Sequence, residues 1–148
     1  MATNTLTVTD VDTKQSVTVQ AFTGGSANPD GTINPPGKPP LIAAPNGVYF
    51  ITDNPNPTPK SADWYGLLPN DSRLDDYGGG RSGFRLHEGS VSEGCVTVNK
   101  YQTDADKKWQ QLRTLINNTK TEQIDFIAGP HWWNETKKIT KFGSLTIK

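Results

Sequence analysis

A histidine and the only cysteine of the chain stand close together in the sequence. His87 and Cys95 are eight positions apart, and Ser92-Glu93-Gly94 leads directly into the cysteine. A thiol attacks a carbonyl carbon as the thiolate, and a nearby imidazole is a common way of removing its proton at neutral pH. The pair therefore has the groups that nucleophilic catalysis needs. The residues alone leave open that Cys95 is a small core side chain, because cysteine is among the most buried residue types.

The residues around the cysteine suggest supporting roles. Gly94 lets the backbone approach a substrate carbonyl closely, so the amide N–H groups of Gly94 and Cys95 are candidates for an oxyanion hole. Ser92 is a candidate catalytic residue that holds either the imidazole or the substrate. A single cysteine excludes an internal disulfide and a cysteine-based structural zinc site. With only two histidines in the chain, we expect neither a metal nor a cofactor.

Four other side chains are candidates for binding substrate. Arg81 and Arg85 would meet carboxylates, bidentately in the best geometry. His131 and Trp132 would line a sugar or peptide groove. Three of them have a plainer interpretation: Arg85 as a solvated side chain on a strand, and His131 and Trp132 as part of a core or of a partly buried surface.

The elements that position these residues are mostly strands. Apolar residues make up only 32% of the 148-residue chain, which also has 14 glycines and 11 prolines, so we expect many turns and little helix. Alternating or β-branched runs predict strands at the following places: a hairpin over Thr5–Phe22, then Gly47–Thr52, Asp63–Leu68, Phe84–His87, Cys95–Val98, Ile124–Ala128 and Ile139–Ile147. Breaker-rich Thr23–Pro45 predicts a long loop, and Glu88–Gly94 a tight one.

One segment has the period of a helix. Ala105, Trp109, Leu112 and Ile116 recur at intervals of four, three and four residues, and Thr103 is the predicted N-cap. The sum is a mainly β, β-rich α+β fold with one substantial helix. The length fits a single catalytic domain over residues 1–148.

Charge and the N-terminal sequence limit the partners and the location. Fifteen basic residues balance fifteen acidic ones, so we expect no nucleic-acid binding. No apolar stretch reaches membrane-spanning length, so we expect no membrane insertion. Met1–Val11 has neither a basic region nor an apolar core, and we expect synthesis in the cytoplasm without a Sec signal.

The run Arg81–Val98, RSGFRLHEGSVSEGCVTV, resembles the signature of the type VI secretion L,D-transpeptidase effector family, a compact branch similar to the YkuD-like L,D-transpeptidases. In that branch F-x-x-H precedes S-x-G-C by a short loop. Other segments resemble the same family in the same order: Phe22-Thr23-Gly24, Pro45–Ile51, Asp63-Trp64-Tyr65, Arg73–Tyr77 and Phe142–Ile147. The wider group usually carries S-H-G-C and a longer loop, whereas here Glu93 replaces that histidine. Both departures favour the effector branch.

The resemblance implies an L,D-transpeptidase-like fold and acyl transfer on peptidoglycan stem peptides. Cys95 would attack the carbonyl of the third stem residue and expel the terminal D-alanine, with His87 as general base and then acid. Water would complete an L,D-carboxypeptidase reaction, and an amine would give D-amino acid exchange or a crosslink. The implied setting is antibacterial: export by a secretion machinery, action in the target-cell periplasm, and a cognate immunity protein in the producer.

Two other functions remain open. In a papain-like cysteine peptidase the cysteine would begin a long helix, whereas Val96-Thr97-Val98 favours a strand after Cys95. In a catalytically silent β-domain that binds cell wall or a partner, Cys95 would be buried and resistant to alkylation.

Overall fold

In a computed structural model of the chain, residues 5–37, 41, 43–55, 57–69, 76–77, 81–127 and 136–147 are described. They form eleven strands and one helix, with these bounds: β1 Thr5–Thr9, β2 Ser16–Ala27, β3 Ile33–Asn34, β4 Gly47–Asp53, β5 Tyr65–Pro69, β6 Asp76–Tyr77, β7 Arg81–Ser82, β8 Arg85–Gly89, β9 Val91–Asn99, α1 Ala105–Asn117, β10 Glu122–Ile127 and β11 Thr136–Ile147. Nine of these described strands belong to one hydrogen-bonded sheet. The predicted β-rich α+β fold with one substantial helix is confirmed.

The chain divides into two compact units, each made of two segments. The first unit is Met1–Ala44 with His87–Thr119, and the second is Pro45–Leu86 with Lys120–Lys148. The first contains β1, β2, β3, β9 and α1, together with the end of β8 from His87 onward. The single catalytic domain over 1–148 stays a prediction.

The first unit begins with the predicted hairpin of β1 and β2. The two strands pair antiparallel in a regular register from Thr5↔Gln20 to Thr9↔Ser16. Their turn is closed by a 2.8 Å bond from the Asp10 N–H to the Gln15 carbonyl. The prediction that a loop begins at Thr23 is wrong, because β2 continues to Ala27 and then pairs with β3.

Helix α1 buries the side chains that the helical period predicted, Trp109, Leu112 and Ile116 among them. The predicted Thr103 cap is wrong. The N-cap is Asp104, which lies in the left-handed region at φ 56° and makes no side-chain capping bond. Its carbonyl accepts the Lys108 N–H at 2.9 Å, so the first turn is closed by backbone alone. Within the described part of the chain, no helix has both the length and the apolar character needed to cross a membrane.

The second unit is built on four antiparallel strands in the order β5-β4-β11-β10. One face of these strands carries four buried apolar residues: Tyr49, Ile51, Leu67 and Leu145. Leu68 points to the other face, because successive residues of a strand alternate between faces. There it forms a buried cluster with Ile139.

The connection between the histidine and the cysteine differs from its prediction. Glu88–Gly94 is not a loop: β8 runs to Gly89, β9 starts at Val91, and Ser90 alone separates them. Three polar or small residues, Ser92, Glu93 and Gly94, are accommodated inside β9 because the pairing of the strand is irregular there.

Candidate active site

Cys95 lies in a bulge of strand β9. Gly25 of β2 pairs with Ser92 and Thr23 pairs with Val96, so Gly24 alone stands opposite the three residues 93–95. A bulge of this kind bends the strand and redirects side chains, and bulges are frequent beside active sites. Cys95 is a partly buried thiol that takes part in no disulfide. The prediction that a strand contains it is confirmed.

Two glycines make the bulge possible. Gly94 has φ 121° and Gly24, on the opposite strand, has φ 69°. Both values lie in the region that side chains with a Cβ rarely adopt. The glycine directly before the cysteine is therefore required by the backbone, whatever contact it makes with a substrate.

The Ser92 hydroxyl holds the bulge together. It accepts the Gly24 N–H at 2.8 Å and the Gly94 N–H at 3.3 Å, and it donates to the Cys95 carbonyl at 2.6 Å. A hydroxyl has one proton and two lone pairs, so these backbone bonds use its full capacity. Ser92 is 1% exposed. Its geometry supports positioning of the cysteine backbone.

The dipeptide Thr23-Gly24 of β2 forms hydrogen bonds with the same bulge. The Thr23 hydroxyl donates to the Gly94 carbonyl at 3.2 Å and accepts the Ala44 N–H at 2.9 Å. With the Gly24 amide on Ser92, this dipeptide contacts both ends of the segment that precedes Cys95. Its role was not recognised from the sequence, because it lies about seventy residues earlier in the chain.

His87 is buried, with 7% of its surface exposed, and each nitrogen of its ring has a polar neighbour. Nδ1 lies 3.0 Å from the carbonyl oxygen of Glu88, and Nε2 lies 3.4 Å from the Thr97 hydroxyl. A carbonyl only accepts hydrogen bonds, so Nδ1 carries the proton of the neutral ring. Nε2 then keeps its lone pair, which is the requirement for a general base. Gly89 provides the room: a Cβ there would lie 3.1 Å from Cε1 of the ring.

The histidine and the cysteine come from neighbouring strands of the first unit, β8 and β9. Thr97, which contacts the ring at Nε2, is two residues after Cys95 in β9. Regular pairing of β9 with β2 resumes at Val96, between these two residues. This arrangement has the parts of a thiol–imidazole nucleophile with an oriented base.

The amide N–H groups of Gly94 and Cys95 are the predicted oxyanion donors, and the first of them already has a hydrogen-bond acceptor. The Gly94 N–H is directed at Ser92 Oγ, so it would have to leave that bond in order to meet an oxyanion. The Cys95 amide follows immediately within the bulge. The oxyanion role of the two amides stays a prediction.

Of the four predicted substrate-binding residues, Arg85 is the one whose side chain the structure describes. Arg85 is 6% exposed; its Nε donates to Asn54 Oδ1 at 3.0 Å and its Nη1 to the Phe84 carbonyl at 2.8 Å. Its interpretation as a solvated side chain is wrong, and these contacts give it a structural role in the second unit. The backbone of Arg81 pairs with Tyr77 in the hairpin of β6 and β7. His131 and Trp132 lie outside the described residues.

Besides Thr23-Gly24, two groups at the site were missed by sequence reasoning. Thr97 carried a usable signal, since it follows Cys95 at the strand period of two. The Glu88 carbonyl carried none, because a backbone group has no side-chain signature.

The sequence matches no protein-family model and no curated protein, and the structure matches no solved structure. The family resemblance and the L,D-transpeptidase-like identity of the fold thus stay predictions from the motifs.

Proposed function

We propose that the chain is a cysteine peptidoglycan-modifying enzyme, an L,D-carboxypeptidase and L,D-transpeptidase that acts on stem tetrapeptides. The observation that carries the proposal is the position of the His87 ring: Nδ1 lies 3.0 Å from the Glu88 carbonyl oxygen, and Nε2 lies 3.4 Å from the hydroxyl of Thr97, which is on β9, the strand that bears Cys95. The S-x-G-C motif and its upstream histidine supply the substrate class by resemblance.

The proposed reaction has two half-reactions. His87 Nε2 takes the Cys95 proton, and the thiolate attacks the carbonyl carbon of the third stem residue. When the tetrahedral intermediate collapses, the same proton passes to the amine of the departing D-alanine, leaving a thioester on Cys95. His87 then deprotonates water or an acceptor amine, which attacks the thioester and restores the thiol. Hydrolysis and exchange thus differ only in the acceptor.

Two features favour this proposal over the functions left open by the sequence. Cys95 lies in a strand, whereas a papain-like peptidase needs it at the start of a helix. Cys95 is also only partly buried, whereas a silent β-domain was expected to bury it. A bulge such as the one that contains Ser92 and Gly94 redirects side chains, which is a way to orient the thiol of Cys95.

Release of D-alanine from disaccharide tetrapeptide tests the proposal. We expect turnover by the wild type and none by Cys95→Ala or His87→Ala, because neither the thiolate nor its base can be replaced. Val91→Ala is the matched control: Val91 is on the same strand and is 51% exposed, so this variant should keep wild-type turnover. Wild-type release by Cys95→Ala would contradict the covalent mechanism.

The proposal includes delivery to the periplasm of a target cell by secretion machinery, with an immunity protein in the producer. In a Gram-negative host, cytoplasmic expression should be tolerated, whereas fusion to a Sec signal should cause swelling or lysis. Cys95→Ala in the same fusion should abolish the toxicity. If the exported wild type were harmless and the muropeptides unchanged, the effector role would be wrong.

A further inference from the structure

Strand β1 has an outer edge that no other described strand covers. It ends the sheet order in the first unit, and β2 is the only described strand with which it pairs. An open edge presents unpaired N–H and C=O groups to any strand of matching geometry. Within the described part of the chain, the edge of β1 is therefore a surface on which another strand can add.

The hydrogen bonds of the hairpin show which backbone groups face outward. The Asp10 N–H bonds to the Gln15 carbonyl, one residue beyond the paired ends of β1 and β2. The N–H and carbonyl of Gln20 both bond to the Gln102 side chain, away from β1. Bonded and non-bonded pairs alternate along an antiparallel ladder. In the observed register, the residues whose backbone groups face the open edge are Thr5, Thr7 and Thr9.

The open edge of β1 lacks the usual protection against association. Its sequence, TLTVT, has no charge and no proline, and its register with β2 has no bulge. By contrast, β10, which ends the strand order in the second unit, carries Glu122 and Asp125, which are ion-paired with Lys141 and Lys138. Charges of this kind are how natural sheets keep exposed edges apart. The bare edge of β1 is therefore suited to being covered.

We propose that β1 pairs antiparallel with β1 of a second copy of this chain, about a two-fold axis at Thr7. In this register Thr7 faces Thr7 of the second copy, and Thr5 faces Thr9 of the second copy. Every outward-facing residue of one strand then meets an outward-facing residue of the other, which a shift by one residue would prevent.

Side-chain chemistry matches in the same register. The exposed threonines of β1 share one face of the strand, while the half-buried Leu6 and Val8 share the other. The two-fold axis places Leu6 opposite Val8 of the second copy, so an apolar side chain faces another apolar side chain. An uncharged strand also meets its own copy without like-charge repulsion. The inference does not depend on the proposed enzymatic activity.

Sedimentation equilibrium with charged variants at the axis tests the register. The wild type should show a concentration-dependent approach to twice the monomer mass. Thr7→Lys and Thr7→Glu should each raise the dissociation constant about fivefold or more, because like charges meet at the axis. An equimolar mixture of the two variants should associate again, since the introduced ammonium of one copy then faces the introduced carboxylate of the other.

Thr5→Lys and Thr5→Glu are the matched controls. Residue 5 faces residue 9 of the second copy, so the two introduced charges do not meet, and mixing these two variants should not lower the dissociation constant. Since Thr5 and Thr7 are both exposed, far-UV circular dichroism should show unchanged folding in all four variants. A wild type that stays monomeric, or a pair of Thr7 variants that fails to associate on mixing, would overturn the proposal.

Discussion

Replacement of Ser92 by alanine tests how the bulge that carries Cys95 is held. The variant removes one hydroxyl oxygen, and with it the bonds to the Gly24 amide at 2.8 Å, to the Gly94 amide at 3.3 Å and to the Cys95 carbonyl at 2.6 Å. Ser92 is 1% exposed, so water has little access to replace the hydroxyl.

The expected cost follows from these three contacts. The Gly24 N–H is left buried without its acceptor, which costs about 1–3 kcal/mol, and the lost bond to the Cys95 carbonyl costs about 1 kcal/mol more. The long contact with Gly94 adds little. The free energy of unfolding should therefore fall by about 2–4 kcal/mol, which lowers the urea midpoint by about 1–2 M for a chain of this size.

Ser90→Ala is the matched control, two residues earlier. The bond that involves Ser90 is from the Ala27 N–H to the Ser90 backbone carbonyl at 2.8 Å, and alanine keeps this carbonyl. We expect a change within about 0.5 kcal/mol. Urea unfolding followed by circular dichroism measures both variants. Equal losses in the two, or a loss for Ser92→Ala below about 1 kcal/mol, would refute the role assigned to the hydroxyl. In the D-alanine assay, Ser92→Ala should keep more turnover than Cys95→Ala.

Two further predictions concern the histidine and an exposed carboxyl. Gly89→Ala places a Cβ 3.1–3.2 Å from the His87 ring, so the ring should shift and D-alanine turnover should fall, with little change in the free energy of unfolding. In the control Gly37→Ala, a Cβ meets nothing within 4 Å, and neither quantity should change. Equal turnover in the two variants would contradict the role of Gly89 in positioning the ring. Hydrogen bonds from the Thr32 side chain and backbone lower the pKa of the Asp30 carboxyl below its ordinary value of 3.8. The ionised carboxyl therefore stabilises the folded chain at pH values above the pKa that Asp30 has in the unfolded chain, and this stabilisation is lost as the pH falls through the lowered pKa. Thr32→Val should move the pKa of Asp30 back toward 3.8 in an NMR titration of its carboxyl carbon, and an unchanged titration would contradict that cause.

Much of the fold was predictable because its signals are local. The alternation of Leu6 and Val8 with polar neighbours predicts β1, and the spacing of Trp109, Leu112 and Ile116 predicts α1; both are confirmed. Burial of one face at a fixed period is sufficient in each case. The helix cap was wrong because Asp104 closes the first turn with its carbonyl, which a search for a capping side chain does not detect.

The surroundings of Cys95 were less predictable because they depend on distant residues. Ser92, Glu93 and Gly94 have the composition of a turn, yet they remain in β9 because the Thr23-Gly24 dipeptide of β2 bonds to the bulge. The burial of Arg85 has the same origin, since its partner Asn54 is 31 residues away. Local sequence supplied the reactive groups, and long-range pairing determines how they are held.

Intact-protein mass spectrometry can detect the thioester on Cys95 that the proposed reaction requires. Wild-type protein is mixed with disaccharide tetrapeptide and quenched in acid within the first turnovers, and the modified peptide is then located by digestion. We expect an adduct equal to the substrate minus D-alanine, carried on Cys95 as a thioester that hydroxylamine removes, and no such adduct on Cys95→Ala. Release of D-alanine by protein whose Cys95 is fully alkylated, with no adduct at any time, would contradict it.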